Sequence, residues 1–154
     1  MVKIILASDH AGFGLKEALK PLLRELKMPY EDIGPKQLDK ADDYPDFIIP
    51  AAQKVASVPE GTFGIIAGWS GQGEAMAANK VKGIRAAVYY GGQPKIIRLS
   101  REHNDANVLS LGAGFLKTEE ALDAVREWLA TKFTKEERHV RRIAKVATYE
   151  RSHR

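Results

Sequence analysis

The fold is decided by the stretch Gly64-Ile-Ile-Ala-Gly-Trp-Ser-Gly-Gln-Gly-Glu-Ala-Met-Ala-Ala-Asn-Lys80, where an apolar run meets a glycine-rich turn and then a helix-prone segment. The pattern predicts a strand, an anion-binding loop and a helix in succession. Such a loop presents backbone N–H groups to a phosphate group or to a developing oxyanion. Glu74 stands where the helix is predicted to begin, and a carboxylate beside those donors is a candidate general base. The alternative is a carboxylate that only stabilises the helix dipole.

Length and composition indicate one globular domain. The chain has 154 residues, so we expect residues 1–154 to form a single domain with one core. The hydrophobic fraction of 44% and the charged fraction of 29% exclude a disordered or fibrous chain. The absence of cysteine excludes disulfides, thiolate metal sites and thiol nucleophiles. No apolar run approaches the roughly 18 residues of a membrane span, and no signal-peptide pattern is found, so we expect a cytoplasmic protein.

Strands and helices are predicted to alternate along the chain. The predicted strands span Val2–Ala7, Tyr30–Ile33, Thr62–Ala67, Ile84–Tyr90 and Asn107–Leu111. The predicted helices span Phe13–Leu26, Pro45–Ala56, Glu74–Lys80, Pro94–Arg101, Thr118–Lys132 and Thr134–Tyr149. Pro21 is expected to break or bend the first helix, and Thr118 is expected to cap the fifth. The alternation predicts an α/β protein whose open parallel sheet is covered on both faces.

One edge of this sheet is the expected site. Ligands of open α/β sheets bind beyond the carboxyl ends of the strands. Asp9 and His10 follow the first predicted strand, the glycine loop with Ser70 follows the third, and Gly112–Gly114 follow the fifth. We therefore expect these residues to lie close together, although Asp9 could instead only cap the first helix.

The glycine loop also invites comparison with nucleotide-binding motifs. Gly71-Gln72-Gly73 follows a predicted strand, as in a dinucleotide fingerprint. Met76 occupies the third glycine position, however, and no acidic residue follows the next strand, which argues against a nicotinamide site. A Walker A loop is excluded because its G-K-[ST] ending is absent.

Further polar groups lie in the second half of the chain. His103 is able to shuttle a proton near neutral pH, and Asn104 can donate a hydrogen bond to an oxyanion. Arg138 and Arg142 stand i,i+4 on the predicted basic helix, a spacing that suits a phosphate clamp. The alternatives are a capping or surface histidine and a solvated basic face. Nucleic-acid binding is disfavoured, since no aromatic residues interleave with the arginines.

Five motifs in order make the chain recognisable. They are Ser8-Asp9-His10-Ala11-Gly12-Phe13, Asp43-Tyr44-Pro45-Asp46, the glycine loop through Ala77-Ala78-Asn79-Lys80, Ser100-Arg101-Glu102-His103-Asn104-Asp105-Ala106-Asn107-Val108-Leu109, and Arg138-His139-Val140-Arg141-Arg142. Over about residues 2–150 the chain resembles the ribose-5-phosphate isomerase B family, which includes the galactose-6-phosphate isomerase subunits. The resemblance implies a Rossmann-like three-layer sandwich with a parallel five-stranded sheet and a C-terminal basic helix, assembled as a homodimer or homotetramer.

The resemblance also implies an activity. The family comprises aldose–ketose isomerases that need no cofactor or metal, and ribose 5-phosphate to ribulose 5-phosphate, a step of the pentose phosphate pathway, is the expected reaction. Another four- to six-carbon sugar or sugar phosphate, or a binding module without turnover, stays open. One branch of the family uses a cysteine base at the end of the third strand. This chain has Gly68 there, so it is similar to the other branch, whose base is a glutamate at the position of Glu74.

Roles for individual residues follow from the same resemblance. His103 with Asp9 would open the cyclic sugar, and Glu74 would carry the proton between C2 and C1 through a cis-enediolate. The residues expected to stabilise the negative oxygen or hold the substrate are Ser70, Gly71, Gln72, Gly73, Asn104, Tyr44, His10, Arg138 and Arg142. The two arginines would reach the phosphate group in the neighbouring subunit's site. The partners implied are therefore a small sugar phosphate and a second copy, with no nucleic acid and no membrane.

Two positions depart from the family pattern. Gly114 stands where family members usually have a phosphate-contacting arginine, and Trp69 replaces a glycine of the loop. The tryptophan is expected to shorten the pocket or to give the sugar an apolar wall.

Overall fold

A computed structural model describes residues 2–153, so Met1 and Arg154 of the expected domain lie outside the described residues. The strands are β1 (Lys3–Ser8), β2 (Tyr30–Gly34), β3 (Thr62–Gly68), β4 (Ala86–Tyr89) and β5 (Val108–Gly112). The helices are α1 (Phe13–Glu25), α2 (Pro45–Ser57), α3 (Gln72–Ala78), α4 (Lys95–Glu102), α5 (Thr118–Ala130) and α6 (Glu137–His153). The strands pair in parallel in the order β2-β1-β3-β5-β4, which confirms the predicted parallel sheet.

The sheet lies between two layers of helices. On one face, α1 and α5 bury Leu19, Leu23 and Trp128 against the strands, together with Ile97 of α4. On the other face, α2 and α3 bury Ile48, Val55 and Ala78. The near-continuous burial of β1 and β3 is typical of strands covered on both sides, and it explains their uninterrupted apolar sequences. The predicted three-layer sandwich is therefore confirmed.

The sheet topology places its switch point between β1 and β3, because the chain leaves β1 toward β2 on one side and later adds β3 on the other. Ser8 pairs with Ala67, and Gly68 pairs with Gly112, so the carboxyl ends of β1, β3 and β5 are level. The segments after these three strands consequently share one edge, as the sequence predicts.

Local boundaries differ from the predictions for identifiable reasons. The predicted break at Pro21 is wrong: α1 runs through the proline, whose ring faces solvent while Leu22 and Leu23 anchor the same turn in the core. The predicted threonine cap of α5 is also wrong. Lys117 occupies the cap position, and its backbone N–H donates to the Glu120 carboxylate at 2.8 Å, so Thr118 is the first helical residue.

The outer strand β4 ends the sheet, since it pairs only with β5 among the described strands. On its free side, the Asn79 amide bonds both backbone groups of Ala86: Nδ2 donates to the carbonyl oxygen at 3.1 Å, and Oδ1 accepts from the N–H at 2.8 Å. The last helix, α6, stands apart from both core layers, with His139 as its buried residue. Within residues 2–153, no helix is long and apolar enough to cross a membrane.

Candidate active site

Glu74 lies in the first turn of α3 and is 4% exposed. Its carboxyl group packs on Gly68 so closely that a Cβ added to this glycine would lie 1.9 Å from Oε1. Burial raises the pKa of the Glu74 carboxyl group, and the negative charge of Asp9 raises it further. A carboxylate with a raised pKa, held at the switch point of the sheet, is well suited to accept a proton near neutral pH.

The loop before α3 is fixed by its glycines and by buried hydrogen bonds. Gly71 has φ 78°, in the left-handed region, and its carbonyl oxygen accepts a hydrogen bond from the Ser110 hydroxyl at 2.6 Å. The backbone N–H of Gln72 points toward Ser70 Oγ, at 3.3 Å, while the Gln72 side chain is exposed. Tyr44 packs on Gly73, where an added Cβ would lie 2.9 Å from the tyrosine Cζ. The structure thus brings Tyr44 and Ser70 to the loop that carries Glu74.

Asp9 and His10 occupy the same edge at the end of β1. Asp9 is 7% exposed, and its Oδ1 accepts the backbone N–H of Gly12 at 3.0 Å. Asp9 does not cap α1, because Gly12 occupies the cap position and no side chain of the described residues bonds the first turn of the helix. His10 Nδ1 lies 2.6 Å from Oδ1 of Asp42, which also accepts the His10 backbone N–H at 3.0 Å. Asp42 was missed by the sequence reasoning, because it lies in a polar loop with other aspartates and no pattern distinguishes it from them.

The short contact between His10 and Asp42 favours a protonated imidazole. The hydrogen bond to Asp42 raises the pKa of His10 despite partial desolvation, and the charges of Asp9 and Asp39 add to the effect. Because Nδ1–H donates to Asp42, Nε2–H is left for a ligand, which suits an anion. Asp9, His10 and Asp42 also have one possible ligand atom each within 4.8 Å of one another, but His10 and Asp42 already bond each other.

Replacing Asp42 with asparagine is expected to lower the pKa of His10 toward the ordinary value of about 6.5. A histidine whose pKa is raised by folding stabilises the protein at pH values below its unfolded-state pKa, and this contribution is lost as pH rises through its folded-state pKa. Asp42→Asn should therefore lower the free energy of unfolding mainly at acid pH. NMR titration of the His10 ring, assigned with His10→Gln, measures the pKa. An unchanged titration midpoint would contradict the role given to Asp42.

A second group of predicted residues surrounds a cavity of about 460 Å3 between β4, α4 and α6. Its lining includes His103, Asn104, His139 and Arg142. The rings of His103 and His139 stack with centroids 4.2 Å apart and planes inclined by 18°. Burial lowers the pKa of His139, as does the adjacent His103, and the His139 ring packs directly against His103. His139 was known only as the residue between the predicted arginines, and its contact with His103 was missed.

The loop that presents His103 and Asn104 is held by arginines. Arg85 Nε donates to the carbonyl oxygens of Asn104 and Asp105, at 3.1 and 2.9 Å. Arg101, 7% exposed, donates to Asp105 Oδ1 at 2.8 Å and to the Ala106 carbonyl oxygen at 2.6 Å. Several polar residues between positions 100 and 107 therefore serve to hold the loop in place, while His103 and Asn104 line the cavity.

The two predicted arginines differ in their surroundings. Arg142 lines the cavity with His103, whereas Arg138 is exposed and its Nε donates to Glu136 Oε2 at 3.0 Å. The clamp predicted from their i,i+4 spacing is therefore only half assembled within one chain.

The two groups lie at opposite edges of the sheet. Glu74 follows β3 at the carboxyl edge, whereas His103 and Asn104 precede β5, whose first residue, Val108, is level with Gly64. From Gly64 to Gly68 the strand rises about 13 Å. One chain therefore carries an acidic group around Glu74 and a basic group around His103 and Arg142, and it does not bring them together.

The chain is similar to known proteins along almost its whole length. A family model described as Ribose/Galactose Isomerase matches residues 4–146. Ribose-5-phosphate isomerase B of Mycobacterium tuberculosis is 40% identical over 152 residues, covering 99% of this chain and 92% of that protein. A probable ribose-5-phosphate isomerase B of Mycoplasma pneumoniae is 41% identical over 148 residues, covering 96% of this chain and 95% of that protein.

Solved structures show the same similarity. Ribose-5-phosphate isomerase B of Mycoplasma genitalium, with bound ribulose-5-phosphate, superposes with a TM-score of 0.93 at 39% identity, covering 97% of each chain. The Clostridium thermocellum enzyme superposes with a TM-score of 0.92 at 38% identity, covering 99% of this chain and 100% of that one. The chain therefore belongs to the ribose/galactose isomerase family, as its five motifs predicted.

Proposed function

We propose that residues 1–154 act as a single aldose–ketose isomerase domain that interconverts ribose 5-phosphate and ribulose 5-phosphate. The observation that carries the proposal is the Glu74 carboxyl group, buried on Gly68 with a raised pKa at the switch point of the sheet. The relatives named ribose-5-phosphate isomerase B, one of them with bound ribulose-5-phosphate, support this choice of substrate.

The proposed reaction moves one proton between neighbouring carbons. His103 and Asp9 open the cyclic sugar to the free aldehyde. The Glu74 carboxylate takes the proton from C2, leaving a cis-enediolate, and returns it to C1, while the C1 oxygen is protonated and the C2 hydroxyl proton is lost to give the ketose. Ser70, Asn104 and the amides of the Gly71–Gly73 loop stabilise the negative oxygen. No atom is gained or lost overall.

We infer that the site is completed by a second copy of the chain. Glu74 and His103 lie at opposite edges of the sheet, so a small sugar bound at Glu74 needs the His103 of a neighbour. Asn104 and Arg142 line the same cavity as His103, so all three residues would reach the neighbour's site together. Arg138 would reach it once its hydrogen bond to Glu136 is broken. In a two-fold dimer, the basic group of each copy then completes the Glu74 site of the other copy.

The character of the two surfaces supports this pairing. The carboxyl edge holds the buried carboxyl groups of Asp9, Asp42 and Glu74, whereas the cavity is lined by Arg85 and Arg142, so the two regions differ in the sign of their charged groups. On α6, Val140, Val146 and Tyr149 expose apolar side chains, which a dimer interface would bury. A homodimer is the smallest assembly that fits, and a homotetramer would contain two such dimers.

A cytoplasmic location stays a prediction.

Proton NMR in D2O tests the proposed function. With ribose 5-phosphate, we expect conversion to ribulose 5-phosphate and entry of deuterium at the carbon to which the proton is returned. Glu74→Gln is expected to abolish conversion and exchange together, because the amide is not a base. A panel of aldoses with and without a phosphate group ranks the substrates in the same experiment.

The outcome that would contradict the proposal is the absence of conversion and exchange with every sugar in the panel while the protein is folded. If the same sugars still bound, the chain would be a sugar-phosphate-binding module. A fully active Glu74→Gln variant would remove Glu74 from the mechanism.

A further inference from the structure

Trp69 and Gly114 share one volume at the carboxyl edge of the sheet. A Cβ added to Gly114 would lie 2.4 Å from Cδ2 and 2.5 Å from Cε2 of the Trp69 indole, closer than Cβ atoms come to other atoms in folded proteins. The backbone N–H of Gly114 donates to the carbonyl oxygen of Trp69 at 2.8 Å, which fixes the two positions opposite each other. A side chain at position 114 would therefore displace the indole.

The indole is braced but open to solvent. Trp69 is 63% exposed, and its ring centroid lies 6.1 Å from that of Phe115, whose ring in turn lies 6.0 Å from Tyr90. We call these three residues the aromatic row. Each of them exposes about half or more of its surface, and rings held in place with an open face form a surface ready to bind an apolar group.

The aromatic row borders the acidic group of the site. Trp69 lies between Gly68, on which the Glu74 carboxyl group packs, and Ser70, which lies next to the Gly71–Gly73 loop. From Gly112 to Leu116, the segment that backs the indole carries no charged side chain. The rings of the aromatic row therefore offer an apolar contact beside the charged groups of the site.

We propose that the open face of Trp69 is a stacking subsite for the carbon chain of the sugar. An aldose carries C–H groups along its carbon chain, and an indole offers the largest flat apolar surface of any side chain. This inference rests on the proposed function, and it adds that part of the binding free energy comes from the carbon skeleton and not from the phosphate group. Trp69 then contributes equally to the binding free energy of phosphorylated and unphosphorylated aldoses of the same length.

Steady-state kinetics test the subsite. Trp69→Ala is expected to raise the KM for ribose and for ribose 5-phosphate by the same factor, about three- to tenfold, with little change in kcat. Trp69→Phe should retain most of the affinity, because it keeps an aromatic face. Gly114→Ala should reproduce the effect of Trp69→Ala, since its Cβ displaces the indole. Val58→Ala, which removes an equally exposed apolar side chain beyond the end of α2, serves as the matched control.

Fluorescence gives a second readout that does not depend on turnover. The chain has two tryptophans, and Trp128 is fully buried whereas Trp69 is exposed. Ribose and ribose 5-phosphate are each expected to protect Trp69 from acrylamide quenching, and this protection should disappear in Trp69→Phe. Trp128 supplies the constant background.

The outcomes separate the subsite from the proposed function. Protection of Trp69 by sugars without any isomerisation would overturn the function and support the subsite. The subsite alone would be overturned if the wild-type protein isomerised the sugars, the sugars did not protect its Trp69 from quenching, and Trp69→Ala had an unchanged KM. A KM effect confined to the phosphorylated sugar, or a change only in oligomeric state on gel filtration, would also overturn it.

Discussion

A heterodimer of Glu74→Gln subunits and His103→Ala/Arg142→Ala subunits is expected to have about half the activity of the wild-type dimer, although each homodimer is nearly inactive. Both homodimers lack an essential group at both sites, with losses of about a hundredfold or more. In the heterodimer, one site combines the intact Glu74 group of one subunit with the intact basic group of the other. Co-expression with two affinity tags, tandem purification and an isomerase assay measure the activity.

The reciprocal heterodimer provides the control. It joins a wild-type subunit with one that carries Glu74→Gln, His103→Ala and Arg142→Ala. A shared site predicts almost no activity, because each site then lacks one of its groups. A site contained within one chain predicts half activity for this pair and none for the first pair. That reversed result would contradict the proposed assembly and leave the role of Glu74 intact.

Gly68→Ala is expected to reduce kcat by about a hundredfold or more while the protein stays folded. The added methyl group would occupy the position of the Glu74 carboxyl group, since an ideal Cβ lies 1.9 Å from Oε1 and 2.1 Å from the carboxyl carbon. The glutamate must then swing away, and displacement of a catalytic group by about 1 Å costs on the order of a hundredfold. Because the obstructed atoms are the end of a flexible side chain and not backbone, the fold should tolerate the change.

Gly14→Ala is the matched control for this substitution. Gly14 lies in the first turn of α1, and nothing stands within 4 Å of an added Cβ. The activity of Gly14→Ala should equal that of the wild type, and its free energy of unfolding should rise by about 0.5–1 kcal/mol because alanine favours helices. Isomerase assays and thermal unfolding compare the two variants. If Gly68→Ala were as active as Gly14→Ala, the packing of Glu74 on Gly68 would not matter for catalysis.

The architecture could be predicted because its signals are local. The apolar runs of β1 and β3 and the leucine spacing of α1 each report burial directly, and alternation then requires a parallel sheet. Pro21 shows the limit of such reasoning. A proline predicts a helix break by its own geometry, but its ring faces solvent here and the buried leucines beside it keep α1 continuous.

Site residues that directly follow a strand could be predicted from the sequence. Residues whose role depends on a contact with a distant segment could not. Glu74 and Asp9 follow strands that end level with each other, so their proximity follows from topology. The contact of Asp42 with His10 spans 32 positions along the chain, and a loop aspartate carries no local sign of it. Trp69 and Gly114 each looked like a separate departure from the family pattern, but they are one arrangement in the structure.

The Asn79 amide has a consequence for the behaviour of the protein at high concentration. An outer strand with free N–H and C=O groups is a template on which another chain can add a strand and start aggregation. By bonding both backbone groups of Ala86, Asn79 takes the place of a neighbouring strand where β4 begins. Although Asn79 belongs to the motif that follows the glycine loop, its contact with Ala86 leaves fewer backbone groups of the outer strand for another chain to pair with.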